Sequence, residues 1–288
     1  MSIQRWELMM DATGRGAAEL AGKVVLVTGA GRGLGREIVR LAARSGATVV
    51  GGSRTMSDLS TLEADIALDP DVTARGGRFV GVSLDVMDLA SLDAFVSGAQ
   101  ERFGHLDGLV NCTGAGVSVP SLELDDAQFR YTFDFNTRSM FFCSQRAARV
   151  MVAQETGGAI VNIGSNFATA GVGIRSAYSA AKAAVESLTR SFAVEWAAQG
   201  VRVNTVSPGT MNTPGYRRAL ANAPAMVESL VALTPSGRIA EPEEVAALVV
   251  FLLGEQCAAM TGQVITVDGG QNVPLAALTS CAPSAVSA

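Results

Sequence analysis

Short apolar runs rich in β-branched residues alternate along the chain with longer amphipathic stretches. From about Lys23 onward, such runs predict seven strands, at 24–28, 48–51, 78–84, 108–111, 159–163, 202–206 and 263–267. The stretches between them predict helices, among them 36–45, 91–103, 126–154 and 242–253. This alternation is typical of βαβ units, in which helices cover both faces of a parallel sheet. The pattern therefore predicts an α/β fold with a doubly wound, seven-stranded parallel sheet.

The same pattern indicates a single domain over residues 21–271, since no internal repeat and no Gly/Ser-rich linker divides it. Residues 1–20 form an N-terminal extension of different composition. Residues 272–288 form a C-terminal tail, and its Ala/Ser/Pro-rich composition is typical of a poorly ordered end.

Composition and charge exclude several classes of protein. Of the 288 residues, 48% are hydrophobic and 17% are charged, which is enough for one large core. No apolar run approaches the roughly 20 residues that span a bilayer, and residues 1–20 lack the continuous apolar core of a secretory signal. A net charge of −5 argues against nucleic acid, because binding to its phosphate backbone depends on clustered Lys and Arg. We expect a cytoplasmic protein that binds neither membrane nor nucleic acid.

The cysteines and the histidine bear on metal binding. The four cysteines are widely separated, with no CxxC pair, and His105 is the only histidine. Such spacing indicates neither a disulfide framework nor a zinc site. We therefore expect no bound metal.

The first candidate for chemistry is a tyrosine–lysine pair. Tyr178 and Lys182 are four residues apart in a segment, 176–198, whose Ala, Leu, Val and Glu content predicts a helix, so both side chains lie on one face. A free tyrosine has a pKa of about 10, and an ammonium about 4 Å away would lower that pKa. Desolvation of the two groups would offset part of this lowering. The pair predicts a proton-transfer site, although YxxxK alone also occurs by accident on solvated helices.

A glycine-rich segment follows the first predicted strand. Residues 28–35 read TGAGRGLG, and a helix is predicted from about Arg36, so the glycines fit TGxxxGxG through Gly29, Gly33 and Gly35. Glycines let the backbone approach a pyrophosphate, and a helix N-terminus offers unpaired N–H groups and partial positive charge. The segment predicts a dinucleotide-binding loop.

Several motifs then follow one another in a telling order. After the glycine loop come Ser165, thirteen positions before Tyr178, then Lys182, and then the pair 208–209, Pro-Gly. Together they resemble the short-chain dehydrogenase/reductase family, in particular its 3-oxoacyl-carrier-protein reductase-like members. The resemblance covers about residues 20–271 and implies a single-domain Rossmann fold.

The resemblance also implies roles for four residues. Tyr178 would be the catalytic acid–base, and Lys182 would lower its pKa and hold the nicotinamide ribose. Ser165 would orient the substrate carbonyl. Asn136, in the preceding long helix, would support a water relay; nothing else in its surroundings distinguishes it from a packing residue.

The choice of nucleotide depends on the end of the second strand. Folds that bind NAD usually place Asp or Glu there to hold the ribose 2′-hydroxyl, whereas this chain has no acid between Glu37 and Asp58. Its strand ends in Ser53 and Arg54. A guanidinium binds phosphate through two hydrogen bonds, and a carboxylate would repel it. We predict NADPH/NADP+, with Arg32 of the glycine loop as a second contact; the alternative is that Arg54 is merely solvated.

The resemblance also implies other contacts with the nucleotide. Residues 85–86 would contact the adenine, residues 111 and 114 the adenosine ribose, and residue 213 the carboxamide. The usual Asn-Asn-Ala-Gly reads here as Asn111-Cys-Thr-Gly, which leaves Cys112 and Thr113 in question as binding groups. The complete predicted set is Gly29, Arg32, Gly33, Leu34, Gly35, Ser53, Arg54, Asp85, Val86, Asn111, Gly114, Tyr178, Lys182, Pro208, Gly209 and Thr213.

The implied reaction is hydride transfer from the nicotinamide to a ketone, with Tyr178 protonating the oxygen and Ser165 donating a hydrogen bond to it. Oxidation of a secondary alcohol or polyol would use the same residues and is the alternative. A non-catalytic dinucleotide sensor is a more remote one, since a sensor needs no acid–base group.

The substrate pocket is expected to be closed by a mobile helical lid at about 211–237, which carries Arg217 and Arg218. These arginines are either solvated or meet a carboxylate, a phosphate or a carrier protein. The other expected walls suggest a mostly apolar carbonyl substrate. They are Val117, Val119, Asn166, Phe167, Val172 and Ile174.

Six aromatic residues crowd into positions 129–142 of the long predicted helix, more than one core face needs. Together with the resemblance, this predicts a second buried face and a homotetramer.

Overall fold

A seven-stranded, all-parallel sheet forms the centre of the molecule in the computed structural model, which describes residues 19–221 and 223–273. The tail from 274 onward and the first 18 residues of the extension lie outside the described residues. The predicted doubly wound α/β fold is confirmed. The strands are β1 (Val24–Thr28), β2 (Thr48–Ser53), β3 (Arg78–Ser83), β4 (Gly108–Asn111), β5 (Gly158–Ile163), β6 (Val201–Pro208) and β7 (Val264–Val267).

The strand order is β3-β2-β1-β4-β5-β6-β7. All strands stay parallel, but after β3 the next strand is added on the opposite side of β1. The chain runs outward from β1 to β3 and then returns to pair β4 with the other side of β1. Loops after the carboxyl ends of β1 and β4 consequently diverge and leave a crevice, which is where ligands bind in open α/β sheets. The topology places the predicted glycine loop at this crevice.

Helices cover both faces of the sheet and enclose two apolar clusters. One cluster includes Ile38, Leu59 and Val249, and the other includes Leu92 and Met151. All five residues of β1 are buried, as expected where a parallel sheet is covered on both sides. The helices are α1 (Gly33–Arg44), α2 (Met56–Ala67), α3 (Pro70–Ala74), α4 (Leu89–Phe103), α5 (Asp126–Phe133), α6 (Ser139–Ala153), α7 (Ser176–Trp196), α8 (Pro214–Leu220), α9 (Pro224–Ala232) and α10 (Pro242–Leu253).

The helix predicted over 126–154 is confirmed from Asp126 to Ala153, but it is not uniform, because a π-helical turn at Asp134–Arg138 lies between α5 and α6. The Asn136 side chain donates a 2.7 Å hydrogen bond to the carbonyl of Thr132, four residues earlier. A side chain inserted into the helical hydrogen-bond ladder accompanies such local widening, which is frequent at functional sites. The turn faces Asn136 toward the loop after β4.

The predicted lid contains α8 and α9. Its base is tied to the body where Met211 pairs with Ala240 in an isolated β-bridge. None of the residues of α9 is buried, and Leu233 just beyond it is 68% exposed. Weakly buried elements of this kind open at low free-energy cost.

Two further expectations concern surfaces. Within residues 19–221 and 223–273, no helix has the length and apolar character to cross a bilayer. On α5, Phe129 and Tyr131 are 44% and 42% exposed. The homotetramer stays a prediction.

Candidate active site

The glycine loop joins β1 to α1, which begins at Gly33, not at Arg36 as predicted. A Cβ on Gly35 would stand 2.2 Å from the carbonyl oxygen of Gly29, so only glycine lets the first turn of α1 approach the loop this closely. Arg32 precedes the helix without capping it through its side chain. The N–H groups of the first turn are therefore available to an anion, and the loop fits the pyrophosphate of a dinucleotide.

A groove of about 280 Å³ runs from this loop across the carboxyl ends of the strands. It collects residues from the glycine loop, the end of β2, the segment after β3 and the loop after β4, so residues far apart in the chain share one surface. Its lining is Gly29, Arg32, Gly52, Ser53, Arg54, Leu84, Val86, Cys112, Thr113, Gly114 and Phe135.

Some predicted cofactor residues lie elsewhere. Gly33 and Thr213 line a neighbouring cavity, and Leu34 is buried in the apolar core behind the loop. The Asp85 carboxylate accepts a 3.0 Å hydrogen bond from the Met87 amide within its own turn.

Asn111 is also engaged within the protein. Its amide nitrogen donates to Ser144 Oγ at 2.9 Å and to Asn162 Oδ1 at 2.8 Å, beneath the groove. Both amide hydrogens are thus used to join β4 to its neighbours. Contacts of Asn111 and Asp85 with the nucleotide stay predictions, because the structure gives both side chains structural partners.

The sequence reasoning missed a carboxylate beside the glycine loop. Asp58, one turn into α2, accepts a 2.5 Å hydrogen bond from Arg32 Nε. A Cβ on Gly31 would lie 3.0 Å from the Cβ of Asp58 and 3.2 Å from Ser53 Oγ, so the carboxylate stands close to the loop and to the end of β2. The signal was available, since the first turn of a helix directly after a strand faces the same crevice as the strand end.

Arg54 differs from Arg32 in its surroundings. Its guanidinium carbon lies 5.9 Å from the centre of the Phe135 ring, and in the described part of the chain it forms no ion pair with a carboxylate. Arg54 therefore carries an uncompensated charge into the groove, whereas the charge of Arg32 is balanced by Asp58.

Beyond the groove, two elements bring the predicted catalytic residues together. Ser165 follows the carboxyl end of β5, and Tyr178 lies in the first turn of α7. Ser165 is buried, and its hydroxyl lies close enough to the Tyr178 phenol to stabilise the phenolate by hydrogen bonding. The ring of Phe167 packs edge-on against that of Tyr178, with 6.3 Å between ring centres.

The electrostatics around Tyr178 differ from the prediction. Burial raises the pKa of Tyr178, and the Ser165 hydrogen bond and the charge of Arg175 act in the opposite direction. Lys182 Nζ is 5.9 Å from the ring centre and donates a 2.8 Å hydrogen bond to the Ile163 carbonyl. The predicted lowering by Lys182 is corrected, because its ammonium is bound to the backbone. Burial also lowers the pKa of Lys182 itself to about 8.

Asn136 and Lys182 meet at the loop after β4. A Cβ on Gly114 would lie 3.2 Å from Lys182 Nζ and 3.4 Å from Asn136 Oδ1. Asn136 also donates to the Ala115 carbonyl and accepts a 3.3 Å hydrogen bond from the Ala115 amide. The π-helical turn thereby fixes this loop against the lysine, and the four predicted catalytic residues converge on one end of the groove.

Arg175 is a second residue that the sequence reasoning missed. Its guanidinium carbon lies 5.8 Å from the centre of the Tyr178 ring, and Nη1 donates a 3.1 Å hydrogen bond to the Gly116 carbonyl. A cation three residues before the tyrosine was the available signal.

A protein-family model described as enoyl-(acyl carrier protein) reductase matches residues 29–272. The chain belongs to the short-chain dehydrogenase/reductase family. This short-chain dehydrogenase/reductase is an oxidoreductase of secondary alcohols and ketones that uses a nicotinamide nucleotide.

Three known proteins illustrate the relationship. Cis-4-hydroxycyclohexanecarboxylate dehydrogenase of Sinomonas cyclohexanicum is 39% identical over 259 residues, covering 87% of this chain and 96% of its own. Levodione reductase of Leifsonia aquatica is 34% identical, covering 91% of this chain and 99% of its own. The structure of a short-chain type dehydrogenase/reductase from Mycobacterium ulcerans matches with a TM-score of 0.82 at 30% identity, covering 88% and 91%. One relative is named as a dehydrogenase and another as a reductase, so both directions occur among them.

Proposed function

We propose that this protein reduces a ring ketone to a secondary alcohol with NADPH. The observation that carries the proposal is the placement of Ser165 beside Tyr178 at the end of a groove bordered by the glycine loop and Arg54. The bound nucleotide supplies a hydride to the carbonyl carbon. Ser165 donates a hydrogen bond to the carbonyl oxygen, and Tyr178 transfers its proton to that oxygen.

The protonation state of Tyr178 supports the reductive direction that we propose. Burial raises its pKa, which keeps the phenol protonated at neutral pH, and a protonated phenol is the form that an acid catalyst needs. Alcohol oxidation, the alternative, starts from the phenolate and should increase with pH. The roles we propose for Lys182 and Asn136 are to hold the nicotinamide ribose and to support a water relay, and their position around Gly114 supports this.

The preference for NADPH rests on Arg54. A guanidinium free of carboxylate partners within the described chain favours the dianionic 2′-phosphate, to which it can donate two hydrogen bonds. Arg32 contributes less to phosphate binding, since Asp58 already balances its charge. Asp58 also repels a phosphate at the end of β2, so the two side chains set the strength of the preference from opposite sides.

Replacing Arg54 by alanine should weaken NADP+ binding by about 10- to 100-fold, the range for a lost charge-assisted hydrogen-bonding group, and leave NAD+ binding unchanged. Asp58→Asn should have the opposite sign and tighten NADP+ binding, because it removes a negative charge and releases Arg32. Calorimetric titration with both nucleotides measures these effects. Tighter binding of NAD+ than NADP+ by the unaltered protein would refute the proposal.

The proposed substrate is a ring ketone that also carries a carboxylate. A relative is named for a hydroxycyclohexanecarboxylate, and Arg175 presents a half-buried guanidinium beside Tyr178 without an ion pair in the described chain. The preceding residue, Ile174, has φ of 56°, a left-handed conformation that strains a β-branched residue. Such strain concentrates at functional sites. The Ile174 carbonyl accepts a 3.0 Å hydrogen bond from the Val119 amide.

Arg175→Met should lower kcat/KM for 4-oxocyclohexanecarboxylate by about 10- to 100-fold, since a charge-assisted contact is lost. The uncharged 4-methylcyclohexanone should be reduced at a nearly unchanged rate. The matched control is Arg190→Met, an exposed residue of α7, the helix that Arg175 precedes, and this change should affect neither substrate. Equal losses for both ketones would contradict a carboxylate contact.

An NADPH-oxidation screen decides between reaction classes. Turnover of cyclic ketones supports the proposal. Turnover confined to β-ketoacyl thioesters, quinones or open-chain sugars would replace the substrate, and nucleotide binding without turnover across the whole panel would favour a sensor.

A further inference from the structure

Beyond β7 the chain turns back toward the active site, through a segment of residues 268–272 that we call the C-terminal clasp. Asp268 stabilises the clasp with its own carboxylate, which accepts hydrogen bonds of 2.8 Å from the amides of Gly270 and of Asn272. The turn is therefore held in one conformation, and it directs the side chains of Gln271 and Asn272 inward.

The side-chain amide of Gln271 contacts three separate segments at once. Its oxygen accepts hydrogen bonds from Asn166 Nδ2 at 3.0 Å and from the Thr210 amide at 3.2 Å, and its nitrogen donates to Thr234 Oγ1 at 2.7 Å. Asn166 follows the catalytic Ser165, Thr210 follows the Pro-Gly pair, and Thr234 lies two residues beyond the second lid helix. One side chain thus joins the catalytic loop, the end of β6 and the lid.

The surroundings of Gln271 are shaped to receive this amide. A Cβ on Gly209 would stand 2.6 Å from Gln271 Oε1, so glycine at this position makes room for the side chain. Asn166 and Thr234 are 5% and 3% exposed, and buried polar groups of this kind are costly to leave without partners. Loss of the Gln271 amide would therefore leave the Asn166 side-chain amide without this acceptor and the Thr234 hydroxyl with only its bond to the Leu230 carbonyl.

Asn272 adds a second connection to the catalytic loop. Its side-chain nitrogen, Nδ2, donates to the Asn166 carbonyl at 2.6 Å and to Thr169 Oγ1 at 2.8 Å. Neither bond involves a lid residue, whereas the bond between Gln271 and Thr234 exists only with the lid end docked on the clasp.

We propose that Gln271 is a positioning residue that couples docking of the lid to the orientation of Ser165. The inference rests on the proposed function, in which Ser165 holds the substrate carbonyl. When the lid end moves away, Gln271 loses its partner at Thr234 and is free to leave Asn166 and Thr210, so that the serine loop relaxes. When the lid docks, the amide is fixed from both sides, and Ser165 is held toward Tyr178.

The test combines ketone turnover with a readout that needs no turnover. Gln271→Ala should lower kcat/KM for the ketone by about 10-fold, since the hydrogen bonds that hold the catalytic loop are lost, with kcat falling and the Kd for NADP+ unchanged. The same variant should accelerate cleavage by trypsin after Arg217 and Arg218 in the lid, because the lid end is released. Thr234→Val should produce the same faster cleavage.

Two comparisons separate coupling from a general loss of structure. Gln271→Glu keeps the oxygen that accepts from Asn166 and Thr210 but loses the donor to Thr234, so it should restore part of kcat while the lid stays sensitive to trypsin. Gln263→Ala is the matched control, because among the described residues the side chain of that exposed glutamine donates only to the Thr261 carbonyl, at 2.9 Å, and both readouts should be unaffected.

A double-mutant cycle completes the test. The effects of Gln271→Ala and Thr234→Val on kcat/KM should be strongly non-additive, as for two residues that share one interaction. Additive effects, or an unchanged rate of lid cleavage in Gln271→Ala, would overturn the proposal. If the unaltered protein reduces no ring ketone, the proposed function fails, whereas the trypsin readout still reports whether Gln271 secures the lid.

Discussion

Replacing Tyr178 by phenylalanine is expected to lower kcat for ketone reduction by about 10²- to 10⁴-fold, the contribution of a positioned general acid. The ring is retained, so its edge-on packing with Phe167 and its contact with Arg175 should persist. Only the proton donor and the partner of Ser165 are lost. Nucleotide affinity should therefore be largely preserved, and steady-state kinetics together with NADP+ titration measure both effects.

The matched control for this change is Tyr131→Phe. Tyr131 lies on α5, is 42% exposed and stacks on Phe135, so its hydroxyl has no expected part in the reaction. Its kcat should equal that of the unaltered protein. Retention of most activity by Tyr178→Phe would show that Tyr178 is not the general acid and that another group protonates the ketone oxygen.

Replacing Ser165 by alanine is expected to lower kcat by about 10²- to 10³-fold, comparable to removing one oxyanion-hole donor. The hydroxyl serves two partners, since it accepts a 3.2 Å hydrogen bond from the Phe167 amide and is hydrogen-bonded to Tyr178. In its absence nothing orients the carbonyl oxygen toward the phenol. The loss should appear in kcat for both ketone reduction and alcohol oxidation. Rapid-mixing kinetics should locate the loss in the hydride-transfer step.

The same change has a second, independent consequence. The Ser165 hydrogen bond acts to lower the pKa of Tyr178, so its removal should raise that pKa further. Alcohol oxidation requires the phenolate, and its pH profile should move to higher pH in Ser165→Ala. The control is Ser176→Ala, because Ser176 Oγ, at the start of α7, bonds only to Ser121 Oγ, at 3.0 Å, among the residues that the structure describes. An equal shift in the control would contradict the assignment.

The pKa values of Tyr178 and Lys182 act together on the direction of the reaction. Burial raises the pKa of the phenol and lowers that of the ammonium to about 8. Below about pH 8 the site holds a protonated phenol beside a charged lysine, which suits reduction. As the pH rises through this value Lys182 loses its charge, whereas the phenolate needed for oxidation forms only at higher pH, because burial raises the pKa of Tyr178. Reduction and oxidation should therefore show opposite pH trends.

Much of the fold was predictable because parallel strands buried on both faces leave a strong local signal. β1, β4 and α10 have the predicted bounds within one residue, since their apolar runs end at turn-forming residues. The interruption at Asp134–Arg138 was not predictable from periodicity, because it arises from the contact of Asn136 with Ala115, 21 residues away in sequence.

The clasp and the two missed charges have the same origin. Gln271 is 105 residues from Asn166 and 37 from Thr234, and no local pattern relates these positions. Asp58 reaches Arg32 across 26 residues, and Arg175 reaches Gly116 across 59. In each case the strand order brings the partners together at the carboxyl edge of the sheet.

By itself the sequence determined the alternating architecture, the glycine loop and the family of the chain, which its serine, tyrosine and lysine indicate. These features depend on short-range spacing and on the chemistry of side chains. Only the tertiary structure decided which charges act on which groups. It bound the Lys182 ammonium to Ile163, set Arg175 beside the tyrosine and paired Arg32 with Asp58. Electrostatic interactions depend on distance and burial, and both are settled only when the strands have assembled.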